Sequence, residues 1–264
     1  MATGTSRLVI IGGGNMGTAL LGGLIASGWK ASDITVVELD AEKRLALEST
    51  YGVRTSDVIV GGHGALIAVK PGDAANVCAQ LAGLGIPRVL SIAAGISVGT
   101  LQVAAGSASA VIRAMPNTPA LVREGVTAIS GSDSCTEDDF VWAESILSAV
   151  GIVVRVPESQ MDAVTAVAGS GPAYVFLMAE ALLASAIEAG LPSDVAEKLV
   201  RQLFRGAGIL LAESPESPAT LRERVTSPNG TTAAGLAEFE AAGLRETVNK
   251  VVQAAARRSA EMGK

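Results

Sequence analysis

Three glycines near the start of the chain constrain its fold more than any other feature. They form the pattern G-x-G-x-x-G directly after Leu8–Ile11, a β-branched run that is typical of a central strand in a parallel sheet. In a dinucleotide-binding turn, the first glycine permits the tight turn, the second lets a pyrophosphate approach the backbone, and the third lets the helix pack on the strand. The pattern therefore predicts such a turn at the start of the first helix. Its contacting residues are predicted to be Gly12, Gly14, Asn15, Met16 and Gly17.

The next 140 or so residues alternate between two kinds of segment. Runs that favour strands lie at 34–37, 66–69, 88–92, 110–113, 126–130 and 152–156. Helix-forming stretches lie between several of them, at 18–27, 42–50, 73–84 and 137–150. This alternation predicts an α/β domain with a doubly wound parallel sheet.

After Pro157 the pattern changes, and only helical segments follow, at 161–166, 172–189, 194–213, 219–225, 232–242 and 246–261. We therefore predict a dinucleotide-binding domain over 1–158 and an all-helical domain over 159–264. The stretch 173–189 is apolar nearly all round, which requires burial on every side. Because the helical region alone can hardly bury it, we expect a subunit interface there. The stretch also contains Glu180 and Glu188 and is shorter than the ~20 residues of a bilayer span, so we expect no membrane insertion.

Charge and cysteine usage exclude several classes of partner. A formal net charge of −6 and a pI near 5.0 argue against nucleic-acid binding, which usually needs a basic face. Cys78, Cys135 and the single histidine, His63, do not have the spacing of a zinc or iron–sulfur site. Two thiols in a reducing cytosol are favoured over one disulfide. The first apolar run is too short for a signal peptide, so we expect a cytoplasmic protein. From the spacing of the cysteines and the histidine, we expect no bound metal.

The type of dinucleotide depends on residues that follow the second strand. Glu38 lies about 20 residues after the glycine turn, where an acid accepts hydrogen bonds from the ribose hydroxyls of an unphosphorylated cofactor. Lys43 and Arg44 come next and could contact a 2′-phosphate instead; the alternative is that both are solvated helix residues. The sequence therefore leaves the choice between NADH and NADPH open.

Three further segments end strands at the same predicted sheet edge. The first is Ala68, Val69, Lys70 and Pro71, where Lys70 is either a proton donor or, as we favour, a group that positions the cofactor. At the second, Ala93 is small enough to leave room for a nicotinamide ribose. At the third, two prolines flank Asn117 in a rigid turn that can direct its amide at a ligand. A purely structural turn is the alternative for this last segment.

Six segments in order along the chain resemble the pyrroline-5-carboxylate reductase family. They are IGGGNMG (11–17), AVKP (68–71), RAMPNTP (113–119), DAVT (162–165), GSGPAY (169–174) and SPNGTT (227–232). Many dehydrogenases share the first, whereas the last two are much more specific. The resemblance covers nearly the whole chain.

The resemblance implies an architecture and a substrate site. Family members have a Rossmann domain and a helical domain that interlocks with its partner in a homodimer, and several associate further into a decamer. Their substrate loop corresponds to Ser227, Thr231 and Thr232, where a helix start would provide N–H groups and hydroxyls for a carboxylate. Plain N-capping of that helix is the alternative. Thr165 corresponds to a threonine near the ring nitrogen of the substrate, where its hydroxyl could accept a hydrogen bond; without the resemblance it would be a core residue.

Two departures from the family pattern are evident. Asn229 stands where the family usually has glycine, a change that asparagine tolerates because it adopts positive φ more readily than other side chains. The segment 54–66 is shorter than the family's and lacks an asparagine that often contacts the cofactor. We therefore assign no role to Thr55 or Ser56.

The implied reaction is hydride transfer from a nicotinamide to the C5=N carbon of 1-pyrroline-5-carboxylate, which yields L-proline in the last step of its biosynthesis. NADPH is the expected cofactor, with NADH as an alternative. No residue resembles an obligatory acid, which suits an imine that solvent can protonate before the hydride arrives. The alternatives are a related imine or β-hydroxyacid reductase, and a non-catalytic nucleotide-binding protein. The substrate loop argues against the first, and the intact Thr165 and substrate loop argue against the second.

Overall fold

The computed structural model describes residues 6–107 and 109–263, which divide into two compact units. The first unit extends to Ser170 and also contains the carboxyl-terminal residues from Ala254 onward, whereas the second spans Gly171–Gln253. This division differs from the predicted boundary at 158/159. The cause is that Met161 is fully buried in the first unit and that Ser259 Oγ donates to Asp162 Oδ1 at 2.6 Å, so both ends of the predicted helical domain pack there.

The first unit is built on an eight-stranded sheet in the order β3-β2-β1-β4-β5-β6-β7-β8. The strands are β1 Leu8–Ile11, β2 Ile34–Val37, β3 Arg54–Ser56, β4 Ala65–Ile67, β5 Arg88–Ser91, β6 Ala110–Met115, β7 Gly125–Gly131 and β8 Gly151–Arg155. All neighbours pair in parallel except β6 and β7, which are antiparallel. The connection between these two strands is only a short loop, and a parallel crossover needs a dozen or more residues. The predicted doubly wound sheet is thus confirmed, with one antiparallel pairing, after which β7 and β8 run opposite to the other strands.

The helices agree closely with the predicted segments. They are α1 Asn15–Ala26, α2 Ala41–Tyr51, α3 Pro71–Gly83, α4 Val98–Ala105, α5 Glu137–Leu147, α6 Met161–Val164, α7 Gly171–Glu188, α8 Ser193–Glu213, α9 Pro218–Arg224, α10 Thr231–Ala241 and α11 Leu244–Met262. A π-helical turn, Thr165–Gly169, follows α6. The sequence analysis missed β3 and α4, because three residues on a partly exposed edge and one eight-residue helix carry little periodic pattern.

Burial in the first unit follows the alternation of side chains along the strands. Leu8 and Ile10 pack with α1 on one face of the sheet, whereas Val9 and Ile11 pack with α3 on the other. Both faces of the central strand are therefore covered, as a parallel sheet requires. This two-sided burial holds the loops at the carboxyl ends of the strands in fixed positions.

The second unit has a different character. The helix α7 has no buried residue in the described chain, in agreement with the expectation that the helical region alone cannot bury it and that a subunit interface covers it. Phe176 and Leu177 are each 65% exposed. By length and composition alone, the continuous helical stretch Glu158–Glu188 could cross a membrane. The single chain therefore leaves a large apolar surface uncovered.

Candidate cofactor and substrate sites

The glycine turn between β1 and α1 has the geometry that its sequence predicts. Gly12 has a φ of +107°, and a Cβ there would lie 2.5 Å from the carbonyl oxygen of Ala68. A Cβ on Gly17 would collide with the carbonyl of Gly12, so α1 could no longer pack at this distance. At Gly14, in contrast, a Cβ would meet no atom of the described residues within 4 Å. The first and third glycines are therefore needed by the fold, whereas the second faces open space that a pyrophosphate can occupy.

Glu38 lies beside this turn at the end of β2. Its Oε2 accepts a hydrogen bond from the backbone N–H of Gly13 at 2.9 Å, and its Oε1 accepts from that of Asp40 at 3.0 Å. Arg44 Nη1 donates to the carbonyl oxygens of Glu38 and Leu39, at 2.8 Å each. The Arg44 guanidinium thus stabilises the loop after β2. Lys43 is exposed on the first turn of α2, so of the two basic side chains it is the better placed to contact a 2′-phosphate.

Two cavities include residues of the turn. One of about 450 Å³ lies along α1 and is lined by Gly14, Asn15, Thr18, Tyr51 and Arg123, among others. A second, of about 240 Å³, lies at the carboxyl ends of the central strands. It brings together five predicted cofactor residues, namely Met16, Ala68, Val69, Pro71 and Ala93.

The second cavity also contains residues that the sequence analysis did not select. Met115 and Pro116 line it, although they belong to a segment from which only Asn117 was chosen. Their place after β6, at the same sheet edge, was the available signal. Lys70 does not line this cavity; it is the exposed residue that precedes the first turn of α3.

Asn117 is only 8% exposed, and both ends of its amide contact the protein. Its Nδ2 donates to the carbonyl oxygen of Ala168 at 3.1 Å, and its Oδ1 accepts from the backbone N–H of Val126 at 3.0 Å. These bonds favour the structural alternative for this residue over a contact with the cofactor.

Thr165, the first residue of the π-helical turn, is partly buried. Its Oγ1 donates to the carbonyl oxygen of Met161 at 2.8 Å. A hydroxyl has one hydrogen to donate, so this bond leaves the oxygen lone pairs of Thr165 as acceptors. The geometry suits an N–H donor on a ligand.

The substrate loop predicted at 227–232 lies in the second unit, immediately before α10. Asn229 has a φ of +60°, which confirms that asparagine takes the left-handed conformation here. Gly230 precedes the first turn of α10, and among the described residues no side chain caps the helix. Thr231 and Thr232 are therefore the first two residues of α10, and both are exposed. This placement argues against a capping role for the threonines and leaves the N–H groups of the first turn free.

No group of three or more His, Cys, Asp or Glu side chains that could hold a metal ion occurs in the part of the chain that is described. Cys78 and Cys135 are free thiols. Burial raises the pKa of the Cys78 thiol to about 11, so this thiol stays protonated at neutral pH.

The strand order, the glycine turn and the carboxylate at the end of β2 define a Rossmann-type oxidoreductase that binds a pyridine dinucleotide. Comparisons with known families agree: the profile of NADP oxidoreductase coenzyme F420-dependent proteins matches residues 7–95, and that of pyrroline-5-carboxylate reductase dimerisation matches 158–262. A pyrroline-5-carboxylate reductase from Synechocystis is 46% identical, over 98% of each chain, and one from Mycobacterium leprae is 38% identical, over 99% of this chain and 98% of that one. The chain belongs to the pyrroline-5-carboxylate reductase family.

Solved structures extend this similarity to three dimensions. The structure of a pyrroline-5-carboxylate reductase from Coxiella burnetii has a TM-score of 0.93 at 37% identity, and covers 98% of this chain and 99% of its own. That of pyrroline carboxylate reductase from Plasmodium falciparum, with NADP bound, has a TM-score of 0.84 at 27% identity and covers 98% of both chains. The fold and the use of NAD(P)H are thus those of the family.

Proposed function

We propose that this protein reduces 1-pyrroline-5-carboxylate to L-proline with NAD(P)H. Beyond membership of the family, one observation supports the proposal. The helix α10 begins with two exposed threonines, and no side chain of the described residues caps the N–H groups of its first turn. The amino end of a helix favours an anion, so this first turn suits the carboxylate of the substrate. Ser227 precedes it in the same loop.

The residues of this chain position the reactants, and the reduced nicotinamide, when bound, supplies the hydride. The Gly14 backbone and the first turn of α1 bind the pyrophosphate. Ala68 and Ala93 leave space beside the nicotinamide at the sheet edge. Thr165 donates its own hydrogen to Met161 O, so its oxygen would accept a hydrogen bond from the protonated ring nitrogen and orient the C5=N carbon. Two electrons and one proton reach that carbon as hydride, and the nitrogen takes its proton from solvent.

We propose NADPH as the preferred cofactor, with NADH also used. Lys43 is exposed beside the predicted ribose position, where its ammonium can pair with a 2′-phosphate. Glu38 acts in the opposite direction, because a carboxylate repels that phosphate. Both of its oxygens already accept backbone N–H groups, which reduces this repulsion.

We further propose that the protein is cytoplasmic and forms a homodimer through its helical region, with association to a decamer as the family resemblance implies. The exposed apolar side chains of α7 support an interface with another chain, as does the match to a dimerisation family. Burial by a second chain also accounts for the membrane-like composition of α7, which contains Glu180. The net charge of −6 supports the absence of a nucleic-acid partner.

The loss of nicotinamide absorbance on addition of 1-pyrroline-5-carboxylate tests the proposal, with NADPH and NADH in parallel. Turnover to proline, identified by mass spectrometry, is expected with both cofactors. Oxidation only with other cyclic imines or β-hydroxyacids would favour a related reductase. Cofactor binding without turnover of any of these substrates would favour a nucleotide-binding protein. Light scattering at several protein concentrations determines the oligomeric state separately.

A further inference from the structure

We propose that Asn117 is a positioning residue that holds the π-helical turn Thr165–Gly169, and that it acts on the reaction through Thr165. The inference rests on the proposed function only for the role of Thr165. The contacts themselves belong entirely to the first unit, where the Asn117 side chain joins the loop after β6 to the carbonyl of Ala168.

The carbonyl of Ala168 needs a donor from outside the helix because of the local sequence. In an α-helix it would accept from the backbone nitrogen of the residue four positions later, which is Pro172 and has no N–H. The chain instead widens into a π turn, in which the N–H of Ser170 donates to the carbonyl of Thr165 at 2.8 Å. Asn117 Nδ2 supplies a donor to the Ala168 carbonyl at the other end of this turn.

The strand β6 contacts the turn at one further place and the segment before the turn at another. A Cβ on Gly169 would lie only 2.6 Å from Met115 Cε, so the turn packs directly on Met115. Arg113 Nη1 lies 2.6 Å from Glu158 Oε1, at the start of the helical segment, and the arginine side chain is only 6% exposed. Residues 113–117 thus contact the segment 158–169 through an ion pair, a packing contact and a hydrogen bond.

We infer that these contacts hold the backbone of the turn, and with it the position of Thr165. Its hydrogen points to Met161 O within α6, and the π turn begins at Thr165 itself. Single π turns inside helices are frequent at functional sites because they direct a side chain that a regular helix would place elsewhere. A displacement of a catalytic group by ~1 Å can reduce a rate about 100-fold. Asn117 therefore affects the orientation of the substrate and not the affinity for the cofactor.

The test is Asn117→Asp, which keeps an acceptor for the N–H of Val126 but removes the donor to Ala168. We expect kcat for 1-pyrroline-5-carboxylate to fall by about 10- to 100-fold. The Kd of NADPH, measured by fluorescence titration, should stay within about twofold, because both ends of the Asn117 amide already bond to the protein. Gln80→Ala, which removes an exposed carboxamide from α3, should leave all values unchanged. If the aspartate variant fails to fold, Asn117→Ala replaces it.

A double variant identifies the route of the effect. In a Thr165→Val background, the further change Asn117→Asp should lower kcat by less than about twofold, since the group that it positions is already gone. A full additional loss would overturn the proposal. A large rise in the Kd of NADPH would overturn it too, in favour of a direct cofactor contact.

Hydrogen–deuterium exchange gives a readout that does not depend on activity. Peptides covering 161–170 should exchange faster in Asn117→Asp than in the wild type, while peptides from α3 should not change. If the wild type does not reduce 1-pyrroline-5-carboxylate, the proposed function fails, yet the exchange result still decides whether Asn117 holds the turn. Unchanged exchange in 161–170 would overturn the proposal by itself.

Discussion

The two units of this chain differ in how far each completes its own core. In the first, the central strand β1 is buried along its whole length, and helices cover both faces of the sheet. In the second, α7 contributes no buried residue, and α8 contributes only Ala196 and Val200. Apolar surface left in water is unfavourable at roughly 25 cal/mol per Å². The difference indicates that the first unit can fold alone, whereas the stability of the second unit depends on its burial against another chain in the oligomer.

The largest expected effect comes from a charge on the exposed apolar face of α7. Phe176→Glu places a carboxylate where a partner chain should bury a side chain that is 65% exposed in one chain. We expect loss of the oligomer and of nearly all activity, measured by light scattering and by steady-state turnover. Lys198→Ala on α8, where the side chain is 79% exposed, serves as the control and should behave like the wild type.

The same variant can show whether the first unit remains folded. The Cys78 thiol is buried, and its pKa is raised to about 11, so it should resist alkylation until that unit unfolds. In Phe176→Glu we expect Cys78 to stay protected, with labelling followed on its own peptide by mass spectrometry. Rapid labelling of Cys78 would mean that the first unit also depends on the assembly.

A second prediction concerns the cofactor site of the first unit. Gly14→Val should weaken NADPH binding by about 100-fold or more, because the new side chain occupies the space of the pyrophosphate. The thermal midpoint should change little, since a Cβ at this position meets no described atom within 4 Å. Gly83→Val, at another open glycine near the end of α3, is the matched control. Unchanged affinity in Gly14→Val would refute the assignment of the turn.

The third prediction addresses the second unit. Replacing both Thr231 and Thr232 with valine should raise KM for 1-pyrroline-5-carboxylate by roughly tenfold or more, because charge-assisted hydrogen bonds contribute about 1.5–3 kcal/mol each. The Kd of NADPH should stay the same. Thr247→Val, on the exposed surface of α11, is the control. A loss of about 1 kcal/mol in stability, seen as a lower thermal midpoint, with a normal KM would contradict the carboxylate site and leave the threonines with a role in helix stability only.

The smallest effect is expected at Glu38. Glu38→Ala should weaken NADH binding by a few-fold and NADPH binding less, because it removes an acceptor for the ribose hydroxyls and a repulsive charge near a 2′-phosphate. Glu38→Gln, which keeps one oxygen for the N–H of Gly13, should lie between the alanine variant and the wild type. Isothermal titration with both cofactors measures the difference. Equal losses would remove Glu38 from the ribose site.

Much of the fold was predictable because its signals are local. The apolar runs of β1 and β2 lie where the sequence predicts strands, and Gly12 has the positive φ that the turn pattern requires. Asn229 likewise adopts the left-handed conformation that its place in a turn suggests. The reversed direction of β7 and β8 was not predicted, since a run of apolar residues indicates a strand but not its direction.

The candidate site likewise combines features that local sequence predicts with features that it does not. The sequence by itself determined the glycine turn, the acid after β2 and the two threonines at a helix start, because each depends on backbone conformation set by adjacent residues. Only the tertiary structure decided what Asn117 does, since its partner Ala168 is 51 positions away along the chain. It also decided that the residues from Ala254 onward belong to the first unit, although the sequence predicted them as part of the helical domain. Long-range hydrogen bonds and buried surface form when folding brings together residues that are far apart in the sequence. A local sequence pattern does not show which distant residues will meet.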